Sequence, residues 1–324
     1  MYFVVTIDTE EDDWGGFDRT AYGVENIKRI PRLQHLFDEF GVTPTYLVTY
    51  PLLDHPEAAR ILDEVQRRCK CEIGMHCHPW NTPPILEERN AFNSMICNLP
   101  EELQKRKLER LYRKLKQTLG TKPVCFRAGR WGYGGKAALA LEKLGCLVDS
   151  SVSPWMNWSG VHGPDFSGMT PKPYRFQPPE IRTPRPDGSM IEVPATIDFL
   201  RGGAGLCRVM TRFLQRRLPR LLHVEGVFRR LGIFQKVWLS PETADVPEMQ
   251  ALTRRAIRMN YPVVNLFFHS TALLAGLSPF VKNRDEEDRF MNRLKEYLRW
   301  VRTQPLTPAV LSKAAVGICA PGPP

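Results

Sequence analysis

Two periods of apolar spacing take turns along the first half of the chain. Tyr2–Ile7 is an unbroken apolar and β-branched run that predicts a strand. Val24–Phe40 follows with Ile27, Ile30, Leu33, Leu36, Phe37 and Phe40 at helical spacing, closed by Gly41. Thr43–Thr49 reads as a second strand, Glu57–Arg68 as a helix and Cys71–His78 as a third strand. Pro100–Leu119 predicts a long charged helix, stopped by Gly120 and Pro123. Val124–Arg127, Lys136–Leu144 and Cys146–Ser150 continue as strand, helix and strand. This alternation predicts parallel strands with helices outside, and its repetition favours a barrel.

The second half departs from that rhythm. Ser153–Asp187 is rich in Pro, Gly and Trp, without periodicity, and reads as an ordered loop on the substrate side. Met190–Val193 and Val264–Phe268 predict further strands, Asp285–Arg302 an amphipathic helix, and residues 316–324 a disordered tail. Residues 1–315 are expected to form one α/β domain, with 153–187 as an insertion and 201–236 as a basic helical segment. That last segment holds nine Lys or Arg against the single acid Glu225, and so carries most of the net charge of +10. Its basic and apolar residues recur at helical spacing. This suits contact with an anionic membrane or an acidic ligand, beside the plainer reading of a solvated helix pair. No nucleic-acid-binding signature accompanies the charge.

Apolar content of 43% and charged content of 25% are those of an ordinary globular protein. No apolar stretch is long enough for a membrane-spanning helix, and strand-like sequence begins at Tyr2 in place of a signal peptide. A cytoplasmic location is expected on that basis, with the basic segment allowing peripheral contact at the inner face of the membrane. The eight cysteines fit free thiols. Cys69, Cys71 and Cys77 lack the paired spacing of a thiolate–zinc site.

The chemistry concentrates at strand ends. Asp8-Thr9-Glu10 closes the first strand and His76-Cys77-His78 the third. Side chains at i and i+2 of a strand share a face, so Asp8 can project with Glu10 and His76 with His78. Two imidazoles and one or two carboxylates suit a divalent metal, whether Zn, Fe, Mn, Co or Ni, with room left for water. Taken singly, the aspartate could be a helix cap and the histidines polar residues lining a groove. Three further spots lie at strand ends: the glycine-rich run Phe126–Gly134, Asp149-Ser150-Ser151, and His269 after Leu266-Phe267-Phe268. Barrels of parallel strands place their active sites there.

In the order of these motifs the sequence resembles the polysaccharide deacetylases of the NodB-homology type (carbohydrate esterase family four), from Tyr2 to about Ser270. Asp8-Thr9-Glu10 is similar to the family's Asp-x-Asp/Glu motif, and Thr43–Thr49 to its second strand. Glu72-Ile73-Gly74-Met75-His76 resembles its EIGxH motif, Phe126-Arg127-Ala128 its FRxP motif, and His269 its final LxH histidine. The stretches His76–Pro84 and His269–Phe280 resemble a branch found in surface-polysaccharide gene clusters. Two departures stand out. The family's histidines are usually spaced i, i+4, but Trp80 occupies that place and His78 follows at i+2; and Thr9 replaces a second aspartate.

The resemblance implies a distorted (β/α) barrel of about seven strands. It also implies a metal-dependent hydrolase that removes an N-acetyl or similar N-acyl group from an amino sugar in a polysaccharide, glycolipid or precursor. Glu10, His76 and His78 would hold one divalent metal, zinc foremost, with Asp8 as an alternative ligand. Asp8 would act as general base, His269 as general acid, Arg127 would orient Asp8, and Asp149 would orient His269. Trp80, Trp131 and Trp155 are candidates for stacking on sugar, each with core burial as the plainer role. For a chain that stays inside the cell the substrate would be a precursor, such as a nucleotide sugar, a soluble glycoside or a lipid-linked sugar. The spacing departure keeps open a non-catalytic carbohydrate-binding or membrane-docking protein on the same barrel. A glycosidase is the remaining reading, with Asp8 and Asp149 as the pair to nominate.

Overall fold

Strand β1 (Tyr2–Thr9) is buried from Phe3 onward, as expected of a central strand covered on both faces. In the computed structural model, which describes residues 1–12, 14–17, 20–68, 71–214 and 235–319, the chain continues through α1 (Ile30–Phe40), β2 (Thr45–Val48), α2 (Tyr50–Asp54), α3 (Pro56–Arg68) and β3 (Glu72–Cys77). It goes on through α4 (Glu101–Leu119), β4 (Cys125–Ala128), α5 (Gly135–Leu144), β5 (Val148–Asp149), β6 (Tyr174–Phe176), β7 (Met190–Glu192), β8 (Ile197–Phe199) and α6 (Ala204–Leu214). The remainder comprises β9 (Lys236–Trp238), α7 (Val246–Arg258), β10 (Val263–His269), α8 (Arg284–Val301), β11 (Thr307–Pro308) and α9 (Leu311–Cys319).

The sheet order is β10-β1-β2-β3-β4-β5-β7, all parallel, with β6 antiparallel on the β7 edge and β11 alongside the start of β1. The sheet curls into an open barrel. Between β7 and β10 the chain at 194–196 bridges the gap through hydrogen bonds. Thr196 N–H donates to Asn265 O at 3.2 Å, Asn265 N–H to Thr196 Oγ1 at 2.8 Å, and Asn265 Nδ2 to Pro194 O at 3.3 Å. The antiparallel β8–β9 pair lies against the same strand, with Phe267 N–H donating to Leu239 O at 3.1 Å.

Strand alternation sorts the inward residues into three layers. At the amino ends Val4, Leu47, Cys125, Val148, Ile191 and Val263 form an apolar floor sealed by Leu311, Ala314 and Ala315 of α9. The N-terminus of α9 is docked by Leu311 N–H on Thr45 Oγ1 and Ser312 N–H on Glu72 Oε2. Above the floor sits a polar layer of Thr6, Arg127, Ser150 and Asn265, and above that the strand ends carrying Asp8, His76 and His269. The outward faces of the strands pack on the helices in the main core, for instance Phe3, Val5 and Ile7 with Leu33, Phe37, Phe268 and Phe290.

Some expectations change. The helix that plugs the floor runs to Cys319, so residues 316–319 are helical where a tail was expected; residues 320–324 lie outside the described ones. The stretch 153–187 contains β6, whose Phe176 is buried beside β7. The short elements β8, β9 and α2, and the helix α7 with its Asp245–Glu248 capping box, were not foreseen. Within the basic segment, α6 is described as a helix, and residues 215–234 lie outside the described ones.

Alternation also explains an acidic pair. Val148 faces the floor and Ser150 the polar layer, so Asp149 between them points outward; Glu192, between Ile191 and Val193, does the same on the neighbouring strand. Both carboxyls are fully buried and abut one another. Burial pushes both above the usual carboxylate range, and the neighbouring Asp149 pushes Glu192 further. Among the described residues Glu192 Oε2 has no hydrogen-bond partner, which a proton shared with Asp149 supplies. Stability from groups raised in this way is complete below the ordinary carboxylate pKa and is lost as pH climbs through the raised one. Glu192→Gln, which needs no proton, should therefore gain thermal stability over wild type as pH rises from about 5 to 8, by about 2–4 °C per kcal/mol relieved. A Tm difference that stays flat across that range would show the pair to be unstrained.

Candidate active site

The barrel's upper rim is organised from below by Arg127, which is 1% exposed. Its Nε donates to Ser150 O at 2.8 Å, Nη2 to Thr6 Oγ1 at 2.7 Å and Ser150 Oγ at 2.9 Å, and Nη1 to Asp8 Oδ1 at 2.7 Å. Asp8 Oδ2 is left facing the cavity, 3.6 Å from His269 Nε2 and 4.0 Å from His76 Nε2. Burial alone would raise the Asp8 carboxyl, but Arg127, His76 and His269 outweigh it and hold it at about 2.

The two strand-end histidines have one ring nitrogen each tied off. His76 Nδ1 lies 2.9 Å from Arg127 O, and a carbonyl only accepts, so Nδ1 carries the proton. His78 Nδ1 lies 3.0 Å from Glu11 Oε1. The tautomers this selects present both Nε2 lone pairs to Glu10, whose Oε2 is 3.7 Å from His76 Nε2 and 3.4 Å from His78 Nε2. The backbone of Glu10 is pinned by its N–H donating to Ser270 Oγ at 3.0 Å and by Asn26 Nδ2 donating to its carbonyl at 3.0 Å. Glu10, His76 and His78 are buried, with one ligand atom of each within 4.8 Å of the others, and this group could hold a metal ion. The donor set fits: burial keeps the His76 imidazole below its usual pKa and therefore neutral, and burial raises Glu10 to about 7, a penalty that a cation between the three would relieve.

His269 stands on the other side of Asp8. Its Nδ1 lies 3.1 Å from Glu242 Oε1, and the same carboxylate accepts its backbone N–H at 2.9 Å. Burial would lower the imidazole, but Glu242 and Glu10 outweigh it and push it up to about 9. Asp149, expected as the partner of His269, does not meet it. It points out of the barrel and accepts hydrogen bonds from Ser151, so Glu242 occupies the role that Asp149 was expected to fill.

These groups line a cavity of about 420 Å³ with aromatic walls. Trp14, Phe17, Trp80, Trp131, Trp158, Trp238, Phe267 and Phe280 all reach it. Trp80 stacks on the His78 ring at 4.2 Å, and Trp14 meets His269 edge-on at 4.3 Å. Gly129 makes this packing possible, because a Cβ there would come within 2.2 Å of the His78 ring. The loop bearing Trp80 is held by buried Lys107, whose Nζ donates to the carbonyls of Pro79, Thr82 and Pro84 and pairs with Glu87 at 2.8 Å. Trp155 is a correction. It is 2% exposed, donates through Nε1 to Asp198 Oδ1 at 3.0 Å, packs on Phe199 and Cys207, and does not reach the cavity.

A putative polysaccharide deacetylase from Mycobacterium smegmatis shares this architecture with a TM-score of 0.55 at 17% identity, over 98% of this chain and 90% of that one. The chain has a NodB-like barrel fold. Other solved structures match it comparably: an allantoinase at TM-score 0.54 and 11% identity, over 100% of this chain and 91% of the other, and a 4-alpha-glucanotransferase from Thermococcus litoralis at 0.51 and 12%, over 97% and 40%. No protein-family model and no curated protein matches the sequence. The activities named for the three structures differ, so the chemistry has to be argued from the residues of the site.

Sequence reasoning missed Glu11 and Glu242. Glu11 continues the acidic run after Thr9, and that run was the available signal. Strand alternation would turn Glu11 away from Asp8 and Glu10, but β1 ends at Thr9 and the rule lapses there. Glu242 sits in a turn 27 residues before His269, with no local pattern to mark it. Glu11 is 2% exposed and also accepts from Asn81 Nδ2 at 2.6 Å and Thr49 Oγ1 at 3.0 Å. Because it sets the orientation of His78, Glu11→Gln should weaken zinc binding by about 10–100-fold in a chelator competition while leaving the fold intact. Unchanged affinity would remove Glu11 from the site.

Proposed function

We propose that the chain is a metal-dependent hydrolase that removes an N-acetyl or similar N-acyl group from an amino sugar. The observation that carries this reading is the convergence of two Nε2 lone pairs on Glu10, with the anionic Asp8 and the cationic His269 beside them. The i, i+2 histidine spacing thus supports a chelate, which weighs against a binding protein that only kept the barrel. The name of the M. smegmatis neighbour points the same way. The glycosidase reading loses its nominated pair, since Asp149 faces away from the cavity.

A divalent ion held by Glu10, His76 and His78, zinc or another borderline metal, would polarise the acyl carbonyl and acidify a water. Glu10 lies 3.7 Å from His76 Nε2, nearer than Asp8 at 4.0 Å, and 3.4 Å from His78 Nε2, so it takes the ligand role, which leaves Asp8 as the base. Asp8 Oδ2, with Oδ1 anchored on Arg127, accepts the proton of the attacking water. His269, kept protonated by Glu242, donates to the departing amine nitrogen as the C–N bond breaks. The tryptophan walls exclude water and offer faces for a sugar ring.

Contact with anionic lipid is the further part of this reading. On α6 the exposed Leu206, Val209 and Phe213 stand among Arg208 and Arg212. No helix among the described residues is long and apolar enough to cross a membrane. A sugar carried on a lipid would then reach the cavity from the surface.

Elemental analysis of purified protein should find about one equivalent of divalent metal, lost in His76→Ala and in His78→Ala. Protein that is metal-free and cannot be loaded with zinc, cobalt or iron would end the hydrolase reading. Asp8→Asn and His269→Ala should keep the metal and each lower release of acetate from N-acetylated sugars by about 10²–10⁴-fold. Full turnover in either variant would remove that residue from the proton transfers assigned to it.

A further inference from the structure

One wall of the cavity is a turn with an unusual backbone. Arg130 and Trp131 have φ of 55° and 60°, two consecutive non-glycine residues in the left-handed region. Side chains at such φ values are strained, and the strain persists where the surrounding structure holds it in place. Here it brings both side chains to the cavity, directly after Gly129 has let the chain pass under the His78 ring.

Arg130 is the one Lys or Arg among the described residues lining that cavity. It is half-buried, its guanidinium lies over the Phe17 ring at 5.3 Å, and Nη1 donates to Ser94 Oγ at 2.8 Å. Among the described residues no carboxylate pairs with it. The two buried arginines among the described residues differ: Arg127 holds Asp8 and Arg255 holds Asp198. A guanidinium has five N–H donors in a planar fork, and most of those on Arg130 are left to solvent or to a ligand. The other charged groups of the cavity are Asp8, Glu10, Glu242 and the cationic His269, and His269 is already held between Glu242 and Asp8.

We propose that Arg130 recognises an anionic group, a phosphoryl or a carboxylate, carried by the amino-sugar substrate next to its acylated ring. The proposal rests on the hydrolase reading for the identity of that ring and for its orientation, with the acyl group toward Asp8 and the anion toward Arg130. Paired N–H donors on a phosphate or carboxylate form the strong, directional contact that a neutral sugar cannot make.

The test uses sugars without an N-acyl group, so that binding is read without turnover. Glucosamine, glucosamine 1-phosphate, muramate and inorganic phosphate are titrated against purified protein, following the fluorescence of the cavity tryptophans. Glucosamine 1-phosphate or muramate should bind about tenfold or more tightly than glucosamine, and which of the two prevails identifies the anion. Arg130→Met should bring that ratio to near one, while Arg130→Lys keeps part of it, since an ammonium retains the charge without the fork. Thermal melts check that both variants fold, and the lysine variant carries the test where the methionine variant does not. The proposal is overturned if charged and uncharged sugars bind wild type alike or not at all. It is also overturned if the preference survives in the variants, or if inorganic phosphate binds as tightly as the sugar phosphate. A retained charge preference in protein that hydrolyses no amide would sink the hydrolase reading alone.

Discussion

A single guanidinium at the centre of the barrel sets the positions on which the site depends. Arg127 ties Asp8, Thr6 and Ser150 together, and its own carbonyl fixes the His76 tautomer. Ser150 Oγ passes the network on to Val193 O at 2.8 Å, and Asn265 Nδ2 reaches Ser150 Oγ at 3.2 Å. Through its side chain, its carbonyl and the neighbouring Ser150, this one residue is connected to β1, β3, β5, β7 and β10. Burying an ion pair is not a cheap source of stability, since desolvation offsets much of the Coulomb attraction. What Arg127 supplies is placement: an ionised Asp8 with one oxygen committed and the other free, and a histidine with its Nε2 released toward the cavity.

The layers around this residue divide the work. The floor is apolar, plugged by α9, and has no chemistry. The middle layer is polar and its groups satisfy one another. The rim is where charges remain incompletely paired, and the aromatic cavity opens there. The fold alone does not specify a reaction, because a deacetylase, an allantoinase and a glucanotransferase share it. Two carboxylates outside the recognised motifs, Glu11 and Glu242, set the direction of His78 and His269. They make the rim a set of oriented donors and acceptors.

Much of the barrel was legible from sequence because its signals are local. Apolar runs marked β1 and β3, helical patterns closed by Gly marked α1 and α4, and the i, i+2 spacing put Asp8 with Glu10 and His76 with His78. Apart from the helix α7, the elements that escaped are short, such as β6, β8 and β9, where three residues carry no period to read. The misplaced residues share a different cause. Asp149 lies on a strand of two residues, and one step of alternation decides whether it faces the cavity or the helices. Trp155 sits in a loop, where only the packing on Asp198 and Phe199 shows that it is core.

The sequence by itself determined the alternating α/β order, the strand ends that carry chemistry and the residue types gathered there. Each of these follows from spacing within a few residues, where backbone geometry dictates direction. The tertiary structure alone decided which carboxylate stands behind each histidine, which tryptophans face the cavity, and that Arg130 reaches it without an acidic partner among the described residues. Those outcomes depend on contacts between segments far apart in the chain, and they are set by how neighbouring strands and loops pack once the barrel has curled.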